Sequence, residues 1–134
     1  MGQLQHDLYH VYTVDIHSIR CASVLAGIET STSRTKEEED FHRIHATVQN
    51  RGLLHLAILC HDIGKGTGHG HSRIGAEIVA RIGARWGLPE QDVSDLVFLV
   101  EQHLLMANVS QRRDLHDIEL ILSFADTVGT VSRL

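Results

Sequence analysis

Residues 53–66 read Leu53-Leu54-His55-Leu56-Ala57-Ile58-Leu59-Cys60-His61-Asp62-Ile63-Gly64-Lys65-Gly66, the densest apolar run of the chain leading straight into a polar pair and a glycine turn. Gly52 and Gly64 bracket the run, leaving about a dozen residues between helix breakers. Periodicity alone does not separate a buried helix from a buried strand, but strands are usually only roughly 4–8 residues long. Length therefore favours a buried helix over 51–63.

The neighbours are consistent with that choice. Downstream, Gly64, Gly66, Gly68 and Gly70 interrupt regular structure, and a helix resumes near Ser72 with Ile74, Ile78, Ile82 and Trp86 on one face. Gly87-Leu88-Pro89 closes it, since proline suits the first turn of a following helix. That helix, 89–106, has the cleanest stripe in the chain: Val93, Leu96, Val97, Val100, His103 and Leu104. A last helix starts near Asp114 or Asp117 and carries Ile118, Leu120, Ile121 and Phe124. Upstream, 7–30 has no glycine before Gly27, and His10, Val14, His17, Cys21, Val24 and Ile28 recur at helical spacing. The charged stretch 31–40 reads as a loop entering a second helix over 36–49. No segment alternates with period two and no internal repeat appears. The fold class expected is all-α.

Composition sets the outer bounds. A chain of 134 residues with 43% apolar content is one globular domain, 1–134, large enough to fold without disulfides or a structural metal. Twelve Lys/Arg against 17 Asp/Glu give a net charge of −5, which argues against a sequence-independent grip on nucleic acid or an anionic membrane. No apolar run approaches a membrane span. The opening Met1-Gly2-Gln3-Leu4-Gln5-His6 has neither the charged and apolar regions of a signal peptide nor the Ser/Thr of a myristoylation signal. Cys21 and Cys60 form no CxxC and no disulfide framework, so a cytoplasmic location is expected. The unusual number is 11 histidines, nearly as many as Lys and Arg combined.

Several of those histidines stand where chemistry is affordable only with a partner. His61 and Asp62 end the most apolar helix, and a charge there is costly unless paired or bound to a metal. Imidazole and carboxylate together suit Mn²⁺, Fe²⁺ or Zn²⁺ better than Ca²⁺. The bland alternative is an aspartate capping loop amides beside a chance histidine, and His116-Asp117, a second such pair in a polar stretch, is read that way. His103 lies on an apolar stripe and His17 shares the stripe of Cys21 and Val24; either alone is most simply a hydrogen-bonded core histidine. His71 opens a helix directly after the glycine loop. Together with Asp62, four such histidines from four segments exceed what a core requires. His42-Arg43-Ile44-His45 is a rival pair at i,i+3 spacing, but it follows a charged run with no carboxylate at a supporting position, and reads as a solvated face. His6, His10, His55 and His69 receive no role. Gly64-Lys65-Gly66-Thr67-Gly68 is not a Walker A loop. Lys65, three residues past Asp62, could neutralise a phosphate held at a metal.

His17, His61-Asp62, His71 and His103 resemble the HD superfamily of metal-dependent phosphohydrolases, and within it the HD domains of bifunctional PII uridylyltransferase/uridylyl-removing enzymes. The stretches that carry the resemblance are YHVYTVDIHSIR (9–20), LLHLAILCHDIGKG (53–66), HSRIGA (71–76), FLVEQHLLM (98–106) and SQRRDL (110–115). It implies an HD-domain helical bundle of about five to seven helices. It also implies His17, His61 and Asp62 as ligands of a first ion, with Asp62 bridging to a second completed by His71 and His103. One or two divalent ions follow, Mn²⁺ or Mg²⁺ foremost and Fe²⁺ or Zn²⁺ as alternatives. Asp126 in FADTV looks like the last aspartate of the superfamily pattern, but the family places that residue about ten positions later, so the final ligand and final family helix are expected to be absent. Gly70 stands where the family often has Asp. Neither a nucleotidyltransferase domain nor glutamine-sensing ACT domains are read in this stretch, so glutamine would act only through domains absent from it.

The activity implied is hydrolysis of a uridylyl group from a tyrosine of the PII nitrogen-signalling protein, releasing UMP. Asp62, Lys65, His71 and His103 are the residues expected to carry it, the two histidines moving protons where no metal engages them. Two other classes stay open: an HD phosphohydrolase of free small nucleotides, and a non-catalytic module that positions or regulates partner domains.

Overall fold

The structure, a computed structural model, describes residues 13–30, 35–66, 70–112 and 116–134. Among these residues there are seven α-helices, one short 3₁₀ turn and no strand: α1 (Val14–Thr30), α2 (Lys36–Ala46), α3 (Arg51–Cys60), α4 (His71–Trp86), α5 (Glu90–Glu101), α6 (Leu105–Arg112), α7 (Ile118–Val128) and the turn Val131–Arg133. The all-α expectation holds. No described helix is long and apolar enough to cross a membrane. The residues 7–12 of the first expected helix, with His10, lie outside the described residues, as do His6, His69 and Asp114.

Local chemistry accounts for most helix ends. Thr35 caps α2 in a reciprocal box: its side chain accepts from Glu38 N, and Glu38 Oε2 accepts from Thr35 N at 2.7 Å. Asn50 caps α3 by accepting from Leu53 N at 3.0 Å, and its amide donates to Asp92 Oδ2 of α5 at 3.2 Å. Asp117 caps α7, accepting from Glu119 N at 2.9 Å. This settles His116-Asp117 as a helix start.

The core is the junction of α3, α4 and α5. Val79, Leu96 and Val100 are fully buried, with Leu53, Ala57 and Cys60 packed against them. Two apolar stripes read from the sequence are displaced. On α4 the buried residues are Gly75, Ala76, Val79 and Gly83, whereas Trp86 is exposed. Small residues leave room for the side chains of α5: a Cβ on Gly83 would come within 2.9 Å of Val93 Cγ2. On α1 the buried residues are Ser18 and Leu25, and Val14 and Val24 face outward.

A third difference bears on the site. The helix expected over 89–106 is two helices, because Gln102 leaves helical geometry (φ −100°, ψ 12°) with its N–H donating to Phe98 O. Residues 102–104 form a turn, and α6 starts at Leu105. His103 is therefore held at a helix end instead of on a continuous stripe. Similarly, α3 stops at Cys60, so that His61 and Asp62 stand in the turn that follows.

Candidate metal centre

The site is built around Asp62, whose side chain is 3% exposed. Two helices and two turns supply its surroundings. α1 delivers His17 from its first turns, the turn after α3 delivers His61 and Lys65, the first residue of α4 is His71, and the turn after α5 delivers His103. The glycine turn makes this convergence possible. A Cβ on Gly64 would collide with the His71 carbonyl oxygen and lie 2.7 Å from Gly75 N. Only glycine lets the turn carrying Asp62 rest directly on the start of α4.

Ring orientation is set by the backbone. His61 Nδ1 lies 2.7 Å from Ile58 O and His103 Nδ1 lies 2.8 Å from Val100 O. A carbonyl can only accept, so both Nδ1 atoms donate, which leaves each Nε2 turned toward Asp62. A ring nitrogen oriented this way is the usual arrangement of a metal-ligating histidine. Burial pushes the His103 pKa below its ordinary value, outweighing the Val100 carbonyl and the Asp62 carboxylate that act the other way, so this ring is neutral near pH 7.

Distances fall into two groups. His17 Nε2 is 3.2 Å from His61 Nε2, and Asp62 Oδ2 is 3.6 Å from the first and 3.3 Å from the second. Ligands held at 2.0–2.1 Å around a tetrahedral ion stand about 3.3–3.4 Å apart. On the other side, Asp62 Oδ1 is 3.7 Å from His103 Nε2, and atoms of Asp62, His71 and His103 lie within 4.8 Å of one another. Asp62 Oδ1 and His71 Nε2 are buried without a hydrogen-bond partner. Unpaired buried polar atoms facing one another are costly in a protein alone and are satisfied by a shared cation. The donor set fits a divalent ion.

One cation is already there. Lys65 Nζ sits 2.7 Å from Asp62 Oδ2. Burial alone would raise the Asp62 pKa; the Lys65 hydrogen bond, helped by the nearby His61, Lys65 and His103 side chains, holds it below the ordinary carboxylate value.

All six positions singled out from the sequence therefore meet in one place, whereas Asp126 lies exposed on α7. Two features escaped that reading. Cys21 Sγ stands 3.7 Å from His17 Nε2, and its atoms join those of His17 and His61 within 4.8 Å; the i,i+4 spacing from His17 was the available signal. The expectation that His42 and His45 share a solvated face is corrected for His45. It is buried, 3.0 Å from Glu29 Oε1, and His55 Nε2 is 3.7 Å from Glu29 Oε2. The supporting carboxylate comes from α1, too distant in sequence for a local spacing rule to find.

The HD domain family model matches residues 14–130 of this sequence, and the chain belongs to that family. HD domains bind divalent metals and define a superfamily of metal-dependent phosphohydrolases. Over 133 residues, 99% of this chain and 14% of the relative, it is 43% identical to the bifunctional uridylyltransferase/uridylyl-removing enzyme of Rhodospirillum rubrum. It is 41% identical over 135 residues to the enzyme of the same description from Haemophilus influenzae, covering 99% of this chain and 15% of that one. The chain thus spans about one-seventh of the length of these curated relatives. No solved structure matches.

Proposed function

We propose that this chain is a metal-dependent phosphodiesterase that removes UMP from uridylyl-tyrosine of the PII signalling protein. The observation that carries the reading is the convergence of His17, His61, His71 and His103 on one buried carboxylate, with Asp62 Oδ1 and His71 Nε2 lacking any other partner. The similarity to uridylyl-removing enzymes over nearly the whole chain supports the choice of substrate.

His17, His61 and Asp62 Oδ2 would hold one divalent ion, and Asp62 Oδ1, His71 and His103 a second. When bound, such ions supply Lewis acidity toward phosphoryl oxygens and acidify water enough for hydroxide to be available near neutral pH. The chain's own groups do the rest. Asp62 keeps its negative charge under these conditions and so orients cations on both of its oxygens. His61 and His103, pinned by the Ile58 and Val100 carbonyls, hold their rings in place without reorganisation. Lys65 provides a mobile ammonium beside the carboxylate, free to turn to a non-bridging phosphate oxygen once another cation takes over Asp62. His71 and His103 are the proton carriers where no ion engages them. The reaction adds water across the bond between phosphorus and the tyrosyl oxygen. The leaving phenol has a pKa of about 10 and needs less protonation than an alkyl alcohol.

The test is UMP release from uridylylated PII with Mn²⁺ present, by this chain and by Asp62→Ala. Release by the wild type that is abolished in the variant is the expected result. Hydrolysis of free nucleotides without action on uridylylated PII would replace the substrate assigned here, and no hydrolysis by either protein would make the chain a non-catalytic module.

A further inference from the structure

We propose that Cys21 is a ligand of the metal centre, its thiolate joining His17 and His61 so that this half of the centre favours Zn²⁺ or Fe²⁺ over Mg²⁺ or Mn²⁺. The inference rests on the metal-centre reading above and specifies its donor set.

The argument begins with the crowding at one atom. His17 Nε2 has three polar neighbours: His61 Nε2 at 3.2 Å, Asp62 Oδ2 at 3.6 Å and Cys21 Sγ at 3.7 Å. An imidazole nitrogen carries one proton or one lone pair, so it satisfies only one of them. His61 Nδ1 already donates to Ile58 O, so a hydrogen bond between the two Nε2 atoms uses the one site on His17 and leaves Cys21 Sγ and Asp62 Oδ2 facing it unmatched. A cation in the middle removes the conflict, since all four atoms then point electron pairs at it.

The geometry also suits sulfur. His17 and Cys21 are four residues apart on α1 and so share a face, one turn apart. Metal–nitrogen and metal–sulfur bonds of about 2.0–2.1 and 2.3 Å place the two donors about 3.5–3.6 Å apart around a tetrahedral ion, against 3.7 Å here. His17, Cys21 and His61 offer ligand atoms within 4.8 Å of one another, and Asp62 Oδ2, 3.6 and 3.3 Å from the two histidine nitrogens, would bring the set to the four that a tetrahedral ion requires. Asp62, whose side chain is 3% exposed, reaches this half through Oδ2 while its unpartnered Oδ1 faces His103 on the other side, and the buried carboxylate marks the place as a ligand site independently of the cysteine. On ligation the thiol proton is released to solvent and the thiolate binds. Thiolate is the soft donor that shifts a His/Asp set away from Mg²⁺ and Mn²⁺.

Co²⁺ titration of the chain under reducing conditions tests this. Wild-type protein should develop the near-ultraviolet thiolate-to-cobalt charge-transfer band together with visible d–d bands. Cys60→Ala should keep the band. Cys21→Ser should lose it while retaining d–d absorption from the remaining ligands. In competition, the preference for Zn²⁺ over Mn²⁺ should narrow in Cys21→Ser by at least the roughly 10- to 100-fold that loss of a ligand's hydrogen-bond partner costs. Cobalt bound by the wild type without a charge-transfer band, or a band that survives in Cys21→Ser, would overturn the cysteine ligand and leave the histidine–aspartate centre standing. No cobalt binding at all would overturn both.

Discussion

Asp62 and Glu29 are the two carboxylates around which histidines gather, and they do so for different reasons. Asp62 faces the His17, His61 and His103 rings and the Lys65 ammonium, yet one of its oxygens has no hydrogen-bond partner. Glu29 faces two, His45 and His55, and ties α1 to α2 and α3. It serves packing, since it gives the buried His45 ring a charged neighbour at 3.0 Å. Glu29→Ala should therefore destabilise the chain by about 1–3 kcal/mol, the cost of stranding a buried polar group. Urea unfolding measures the loss, and unchanged Co²⁺ binding would separate this contact from the metal centre.

At the scale of elements, the centre depends on where helices stop. α3 ends at Cys60 and α5 at Glu101, so His61, Asp62 and His103 occupy turns, and carbonyls of the last helical turns, Ile58 and Val100, fix the His61 and His103 rings. The turn after α3 is seated on α4 through Gly64. Gly64→Ala forces either that turn or the start of α4 to move, because the added methyl meets backbone atoms of His71 and Gly75. Overpacking of this kind costs about 1–3 kcal/mol. It also separates Asp62 from His71, so metal affinity should fall together with the melting temperature. Gly66→Ala, at a φ of 87° with open space around it, should cost stability without the same loss of affinity.

For the molecule as a whole, the α3–α4–α5 core carries the fold and the centre lies along its edge. The end of the described chain is fastened to the same core: Arg133 bonds Asp95 Oδ1 at 2.7 Å and Ser94 Oγ at 2.9 Å and lies over the Phe98 ring. Acidification acts on this assembly in two windows. His103 has a lowered pKa in the fold, so it binds fewer protons folded than unfolded. Its contribution to stability is complete above the unfolded value of about 6.5 and is lost as pH falls toward the folded one. Asp62 and Asp95 are also lowered, and their contributions are lost only below about pH 3.9. Metal-free melts should decline first below about pH 6.5, and less so in His103→Gln. Added Mn²⁺ should raise the melting temperature at pH 7.5 and lose that effect on acidification, since only neutral imidazoles ligate.

Much of this was legible in residue order. The glycine-bracketed apolar run of 53–60, the single proline and the absence of alternation decide an all-α chain, because helix length and breaker positions are local properties. His61-Asp62 before a glycine turn likewise marks a costly polar pair that demands partners. The tertiary structure decided what local spacing does not encode. Small residues turned α4 onto α5 by a different face from its isoleucine stripe, since Gly75 and Gly83 leave room there for Val100 and Val93. Glu29 came from α1 to bury His45. Cys21 shares a face of α1 with His17, but it was brought near His61 because α1 packs on α3, and whether a cysteine meets a histidine from another segment depends on that packing.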